Sequence, residues 1–166
     1  MKKIGIVSLI IIIFDRIFKV LVTNNLTLNV RNKVIDGFFY VTNCHNDGAA
    51  FSLFSGNVLF LILITFMVLY LIYKTIEKNN INKIGIISYG LLLGGILGNL
   101  FDRIFYGYVI DYLDFRIFNF NFAIFNLADM AIVIGAILLI VFEGSDNDGR
   151  KNKDRSRKLR KEWKNR

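Results

Sequence analysis

The chain has 166 residues, 54% of them apolar, with a mean hydropathy of +0.48 and no proline. Soluble domains sit nearer 45–50% apolar, roughly, and here the excess is gathered into four blocks, which excludes an ordinary soluble globule. The net charge of +8 does not indicate a nucleic-acid protein. Arg150 to Arg166 holds ten basic residues against Asp154 and Glu162, which accounts for all of it. A basic tail after a hydrophobic helix reads first as a cytoplasmic anchor near anionic lipid, with RNA contact the lesser reading.

A bilayer core of about 30 Å needs about 20 mostly apolar helical residues. In chain order the four candidates are Ile4 to Val22, Asn57 to Lys74, Ile84 to Phe101 and Phe122 to Phe142. The first begins like a signal peptide, with Lys2 and Lys3 before an apolar run. No small-x-small cleavage site follows, so it reads as an uncleaved helix. Lysine and arginine placement sets the orientation. Lys2 and Lys3, then Lys74, Lys78 and Lys83, then the tail mark the cytoplasmic side; the other two connections carry only Arg31, Lys33, Arg103 and Arg116. Both termini are therefore expected in the cytoplasm, with residues 24–56 and 102–121 outside. The first outward loop has apolar, aromatic stretches at Val34 to Val41 and Ala50 to Phe54, with turn residues Asn46-Asp47-Gly48 between them. Phe115 to Phe122 alternates. Short strands, and an interfacial helix on the outer surface, are expected there.

The expected architecture is an all-α membrane protein: four transmembrane helices and a small β-rich extracytoplasmic region. Residues 1–143 form the membrane domain and residues 144–166 a basic, disordered tail. Cys44 is the only cysteine, so no intrachain disulfide forms.

Charges inside spans cost about 2.5–3.5 kcal/mol each on the insertion scale, which makes them functional suspects. They are Asp15, Arg16 and Lys19 in span one, Asp102 and Arg103 ending span three, and Asp129 near the start of span four, with Asp111 between the last two. All fall toward the outer side. Gly90, Gly94 and Gly98 recur every four residues, a flat face for close helix packing. Asn99, Asp102 and Arg103 follow at spacings of three and four, on one helical face. An Asp102–Arg103 pair would partly neutralise itself; alternatively Arg103 holds a carboxylate from elsewhere. Asn126 reads as a helix N-cap. For Asp129 two readings stand side by side: a capping carboxylate at the third helical position, or an acid carried into the membrane. Asp111 lies among apolar neighbours, and Asp114 reads equally well as a solvated loop acid.

Two carboxylates brought to about 3 Å cannot both ionise, so they share a proton. The ionised one activates water and the protonated one donates to a peptide carbonyl. Competing chemistry is sparse. His45 is the only histidine, the serines lack a nucleophile motif, and no Cys/His cluster suits zinc. No cofactor or metal is expected.

The run Gly94-Gly95-Ile96-Leu97-Gly98-Asn99-Leu100-Phe101-Asp102-Arg103, then Gly107-Tyr108-Val109-Ile110-Asp111, resembles the signature of lipoprotein signal peptidases (signal peptidase II, aspartyl peptidase family A8). So do Phe125-Asn126-Leu127-Ala128-Asp129, Asn46-Asp47-Gly48-Ala49-Ala50-Phe51-Ser52, and Asp15 with Lys19. These blocks stand in the family's order over residues 4–142. The resemblance implies that Asp111 and Asp129 are the catalytic dyad. Asn46, Asn99, Arg103 and Asn126 would bind substrate or orient the dyad, with Asp15, Lys19 and Asp102 supporting the site. The implied substrate is a diacylglyceryl-modified prolipoprotein, cut just before the lipidated cysteine by a monomeric enzyme of the bacterial cytoplasmic membrane that touches lipid and no nucleic acid. This chain departs from the family in having Arg16 where Gln is usual, Ala123 where a proline is common, and a longer, more basic tail. Two other readings are a small proton-coupled transporter or channel subunit and an inactive lipoprotein-binding relative. A transporter would place its acids near the midplane between inverted repeats. The intact Asp111 and Asp129 argue against an inactive relative.

Overall fold

The computed structural model describes residues 1–49, 53–117 and 120–143. The expected tail lies outside them. The elements in order are α1 (Lys2–Asn25), β1 (Asn32–Ile35), β2 (Phe39–Asn46), α2 (Val58–Lys78), α3 (Lys83–Tyr106), β3 (Val109–Ile117), β4 (Phe120–Asn121) and α4 (Leu127–Leu138), which runs on as a π-helical turn, Leu139–Glu143.

α3 is the middle of the bundle, packed against α1 and α4. Its glycines make this possible, and they face two ways. A Cβ on Gly94 would lie 2.7 Å from the Ile11 Cβ of α1, while one on Gly95 would run into the Ala128 carbonyl oxygen of α4. The stripe Gly90, Gly94 and Gly98 thus faces α1, and Gly95, outside the stripe, serves α4. Gly95→Ala is expected to cost about 1–3 kcal/mol as overpacking, whereas Gly5→Ala, which meets open space, serves as the control. Melting temperatures of the purified proteins in one detergent measure the difference, and equal values would remove this account of α3.

α2 and α3 are long and apolar enough to cross a membrane. α1 has 24 residues, about 36 Å of helix, but carries Asp15, Arg16 and Lys19. The fourth apolar helix runs Leu127–Phe142. It begins five residues later than the expected Phe122, and backbone pairing is the reason. The Phe125 N–H donates to the Leu113 carbonyl, and the Phe125 carbonyl accepts from Tyr112 and Leu113. This ties the segment before Asn126 to β3, and α4 starts only at the cap. Outside the core, the helices present apolar side chains such as Leu9, Leu59, Leu63, Ile137 and Ile140 at their surface.

The strands form one sheet in the order β1-β2-β3-β4, all neighbours antiparallel. β1 turns into β2 through Asp36-Gly37, with Gly37 at φ +70°, the left-handed region that glycine enters without steric cost. α3 ends at Gly107, φ +79°, whose N–H closes on the Arg103 carbonyl, a left-handed cap. β3 begins two residues later, so the end of α3 and the start of β3 are held together. Strands are present in both expected regions, but neither stretch is one strand: residues 34–41 hold the end of β1, a turn at 36–38 and the start of β2, and residues 115–122 hold the end of β3 and β4, with 118–119 outside the described residues. Of Ala50 to Phe54, residues 50–52 lie outside the described ones, and residues 53–56 form turns.

Candidate active site

The start of α4 organises the site. Asn126 caps the helix: its Oδ1 accepts from the Asp129 N–H at 2.9 Å, and the Asp129 Oδ2 accepts from the Asn126 N–H at 3.1 Å. This reciprocal box satisfies two otherwise orphan donors of the first turn. Asn126 does more than cap. It is fully buried, and its Nδ2 donates to Asp111 Oδ1 at 2.7 Å. One asparagine therefore holds both carboxylates, one through its main chain and one through its amide. The two readings of Asp129 are not alternatives, because the carboxylate caps the helix and faces the cleft at once.

Each carboxylate has a second asparagine. Asn99 of α3 donates to Asp129 Oδ1 at 2.7 Å, and Asn46 of β2 donates to Asp111 Oδ2 at 3.0 Å. Burial first, then the facing Asp129 carboxylate, push Asp111 up to about 7, against the hydrogen bonds from Asn46 and Asn126. Asp111, Asp129, Asn46, Asn99 and Arg103 line one cavity of about 280 Å³. Its remaining wall is apolar, including Val109, Phe125, Ile132 and Val133. Arg103 donates from Nη2 to the Gly48 carbonyl at 2.7 Å, while its buried Nε has no hydrogen-bond partner among the described residues.

Behind the cleft lies a closed ionic cluster. Lys19, fully buried, sends its three N–H bonds to Asp15 Oδ2 at 2.8 Å, Asp102 Oδ2 at 2.8 Å and Asn99 Oδ1 at 3.0 Å. The last contact, with a second from Asn126 Nδ2 at 3.2 Å, makes Asn99 an acceptor at its oxygen and so aims its amide at Asp129. Asp15 Oδ1 accepts from the Ala128 N–H at 3.1 Å, tying α1 to the first turn of α4. Arg16 reaches Asp102 Oδ1 at 2.7 Å and lies over the Phe101 and Tyr106 rings. The extra charge at position 16 is thus neutralised by Asp102.

A family model described as signal peptidase (SPase) II matches residues 7–143. The chain belongs to the signal peptidase II family. Among its relatives, the lipoprotein signal peptidase of Halothermothrix orenii is 42% identical over 137 residues, covering 82% of this chain and 92% of the relative. That of Staphylococcus aureus is 34% identical over 150 residues, covering 90% and 92%. Two solved bacterial membrane enzymes share the fold. One, at 2.3 Å resolution, has a TM-score of 0.81 and 31% identity over 90% of this chain and 92% of its own. The other, at 1.9 Å, has a TM-score of 0.75 and 32% identity over 85% and 92%. As a signal peptidase II, the protein is a peptidase, and its neighbours mark it as a bacterial membrane protein.

All nine residues singled out in the sequence fall within this site or directly behind it, but two sequence readings change. Asp102 does not pair with Arg103: it faces Lys19 and Arg16, whereas Arg103 turns toward Gly48. Asp114 is no solvated acid: it is fully buried and meets Arg31 Nε at 2.6 Å. The apolar wall was not foreseen, although Ile132 and Val133 lie three and four residues beyond Asp129, the spacing of one helical face. His45 stacks on Tyr108, ring centroids 3.8 Å apart.

Proposed function

We propose that this protein is a membrane-embedded aspartyl endopeptidase that removes signal peptides from diacylglyceryl-modified prolipoproteins, cutting just before the lipidated cysteine. The observation that carries the reading is the Asn126 bridge, which holds Asp111 and Asp129 on one cavity. Asp129 sits at the positive end of the α4 dipole, which favours its anion, and Asp111 holds the shared proton. Asp129 takes a proton from water as the oxygen attacks the scissile carbonyl carbon. Asp111 passes its proton to the carbonyl oxygen. The resulting diol collapses as Asp129 gives its proton to the leaving nitrogen, the C–N bond breaks, and a hydroxyl proton returns to Asp111. Arg103, which lines the cavity, is a donor for a substrate carbonyl beside the reacting bond.

The reading also takes all four helices as spans, both termini as cytoplasmic and the sheet with the dyad as outward. Support comes from the lysine and arginine distribution and from the site lying where α3 ends and α4 begins. Cys44, half-buried in β2, reports on this. A membrane-impermeant maleimide is expected to label it in spheroplasts without permeabilisation. Labelling that requires permeabilisation would invert the topology.

Cleavage of a diacylglyceryl prolipoprotein by the purified protein in detergent tests the activity itself. Its pH profile tests the proton assignment. Because the mechanism needs Asp111 protonated, kcat/KM is expected to fall as pH rises through about 7, the value to which burial and Asp129 push this carboxyl. A rate that stays flat well into alkaline pH would remove Asp111 as the proton donor.

A further inference from the structure

The start of a helix carries four backbone N–H groups with no partner inside it, and in α4 each of the four has one. Asn126 and Asp129 satisfy one another in the capping box. The other two donors reach outside the helix. The Ala128 N–H donates to Asp15 Oδ1 of α1 at 3.1 Å, and the Leu127 N–H to the Tyr112 hydroxyl of β3 at 3.2 Å. Tyr112 holds the same segment a second time through its main chain, whose N–H donates to the Phe125 carbonyl at 3.0 Å. One tyrosine thus grips the residues on either side of Asn126, the asparagine that joins the two carboxylates. The tyrosine is itself fixed. Side chains alternate across a strand, so Asp111 faces the cleft while Tyr112, next in sequence, faces α1. It is only 5% exposed, packs with Val22 and Ile110, and stacks on Phe18 with ring centroids 6.4 Å apart. It is not among the residues that line the cavity of the two aspartates.

We propose that Tyr112 is a positioning residue for peptide cleavage: its hydroxyl sets where the first turn of α4 lies, and so sets the separation of Asp111 and Asp129. The proposal rests on the reading of those two aspartates as the catalytic pair. Tyr112 is one residue from Asp111 on β3, and Leu127 is two residues before Asp129 on α4. The bond between them is therefore a strut joining the two carboxylate-bearing elements on the side away from the cleft. Asp15 pins the neighbouring amide to α1 as Tyr112 pins this one to β3. Two fixed points on consecutive residues hold both the position and the rotation of the turn; with one removed, the turn pivots about the other. Loss of the hydroxyl leaves a buried N–H unpaired, which is costly, and the turn moves to find another acceptor. Asp129 moves with it. Sharing of a proton between two carboxyls depends on how close they are, and the rate of a positioned reaction on how well its groups are aligned.

Tyr112→Phe removes one oxygen and keeps the ring against Phe18. On a diacylglyceryl prolipopeptide in detergent it is expected to lower kcat about tenfold, within the hundredfold or so that misplacement by about 1 Å costs. KM should stay near the wild-type value, because the ring does not line the cavity. The alkaline limb of the pH profile should move to lower pH, since a more distant Asp129 raises the Asp111 carboxyl less. Val22→Ala is the comparison. It loosens the same packed cluster and leaves the hydroxyl bonded, so it should melt below wild type with kcat and the pH limb unmoved. Unchanged kcat in Tyr112→Phe, an unmoved pH limb, a loss seen in KM alone, or the same kcat and pH changes in Val22→Ala would overturn the proposal, the last by reducing Tyr112 to packing. Should Tyr112→Phe not fold, replacing Leu127 by its α-hydroxy acid removes the N–H donor and leaves the tyrosine in place; wild-type kcat there would overturn it equally. Failure of wild type to cut the peptide, or full activity in Asp111→Asn or Asp129→Asn, would instead sink the reading of the catalytic pair, and the proposal with it.

Discussion

Asp111→Asn and Asp129→Asn are each expected to abolish cleavage, lowering kcat by about 10³-fold or more, the scale of a lost general acid or base. Both variants should still insert and fold. An asparagine keeps an oxygen to accept from Asn46 or Asn126 in place of Asp111, and from Asn99 or the Asn126 N–H in place of Asp129. Removing a buried carboxylate also relieves repulsion between the two. The variants should therefore melt no lower than wild type while losing the reaction. Asp114→Asn is the informative control. Asp114 is a buried acid three residues along the same strand, paired with Arg31 away from the cleft. It is expected to lose stability and keep kcat near the wild-type value. Retained cleavage in either dyad variant, or equal loss in the control, would take the proposed pair out of the mechanism.

The second large effect belongs to Lys19. Lys19→Met preserves much of the volume but leaves Asp15 without its ionic partner and Asp102 with Arg16 alone. Breaking a buried pair from one side costs about 3–5 kcal/mol, because a buried charge is left uncompensated. The variant should melt well below wild type in detergent. It should also cleave poorly, since the Asn99 oxygen loses the shorter of its two donors, keeping only Asn126 Nδ2 at 3.2 Å, and its amide is held less firmly toward Asp129. The distinguishing measurement is rescue. Adding Asp15→Asn to Lys19→Met removes the stranded charge and should restore much of the stability, while kcat stays low because the Asn99 oxygen is still held by Asn126 alone. If stability and kcat recover together, Lys19 acts only as a structural ion and the positioning role is wrong.

The fold depends on a few physical requirements. α3 must approach both α1 and α4 closely, which its glycines allow. The ions that the helices bring inward must be matched, which Asp15, Lys19, Asp102 and Arg16 do among themselves.

Much of this was readable from the chain. Four apolar blocks, the clustering of charge toward one end, the Asp15–Lys19 pair at i and i+4, the glycine spacing of α3 and the Asn126 cap all depend on local rules: helix period, bilayer thickness, and the cost of a charge in lipid. Such rules act within a few residues of sequence, so composition and spacing expose them. The partners of Asp102, Arg103 and Asp114 depended on which residues distant in sequence come to lie opposite. Adjacent Asp102 and Arg103 point about 100° apart on a helix, so Asp102 turned inward to α1 while Arg103 turned to the β2 loop. Asp114 was buried in β3 and paired with Arg31, which precedes the edge strand β1. The later start of α4 was likewise decided by β3, whose backbone groups needed Phe125 as a partner. The sequence alone thus determined which groups are too costly to leave unpaired in a membrane. Only the tertiary structure decided which of them meet, because pairing across the bundle is set by the packing of whole elements, and that is where two aspartates 18 residues apart come to share one asparagine.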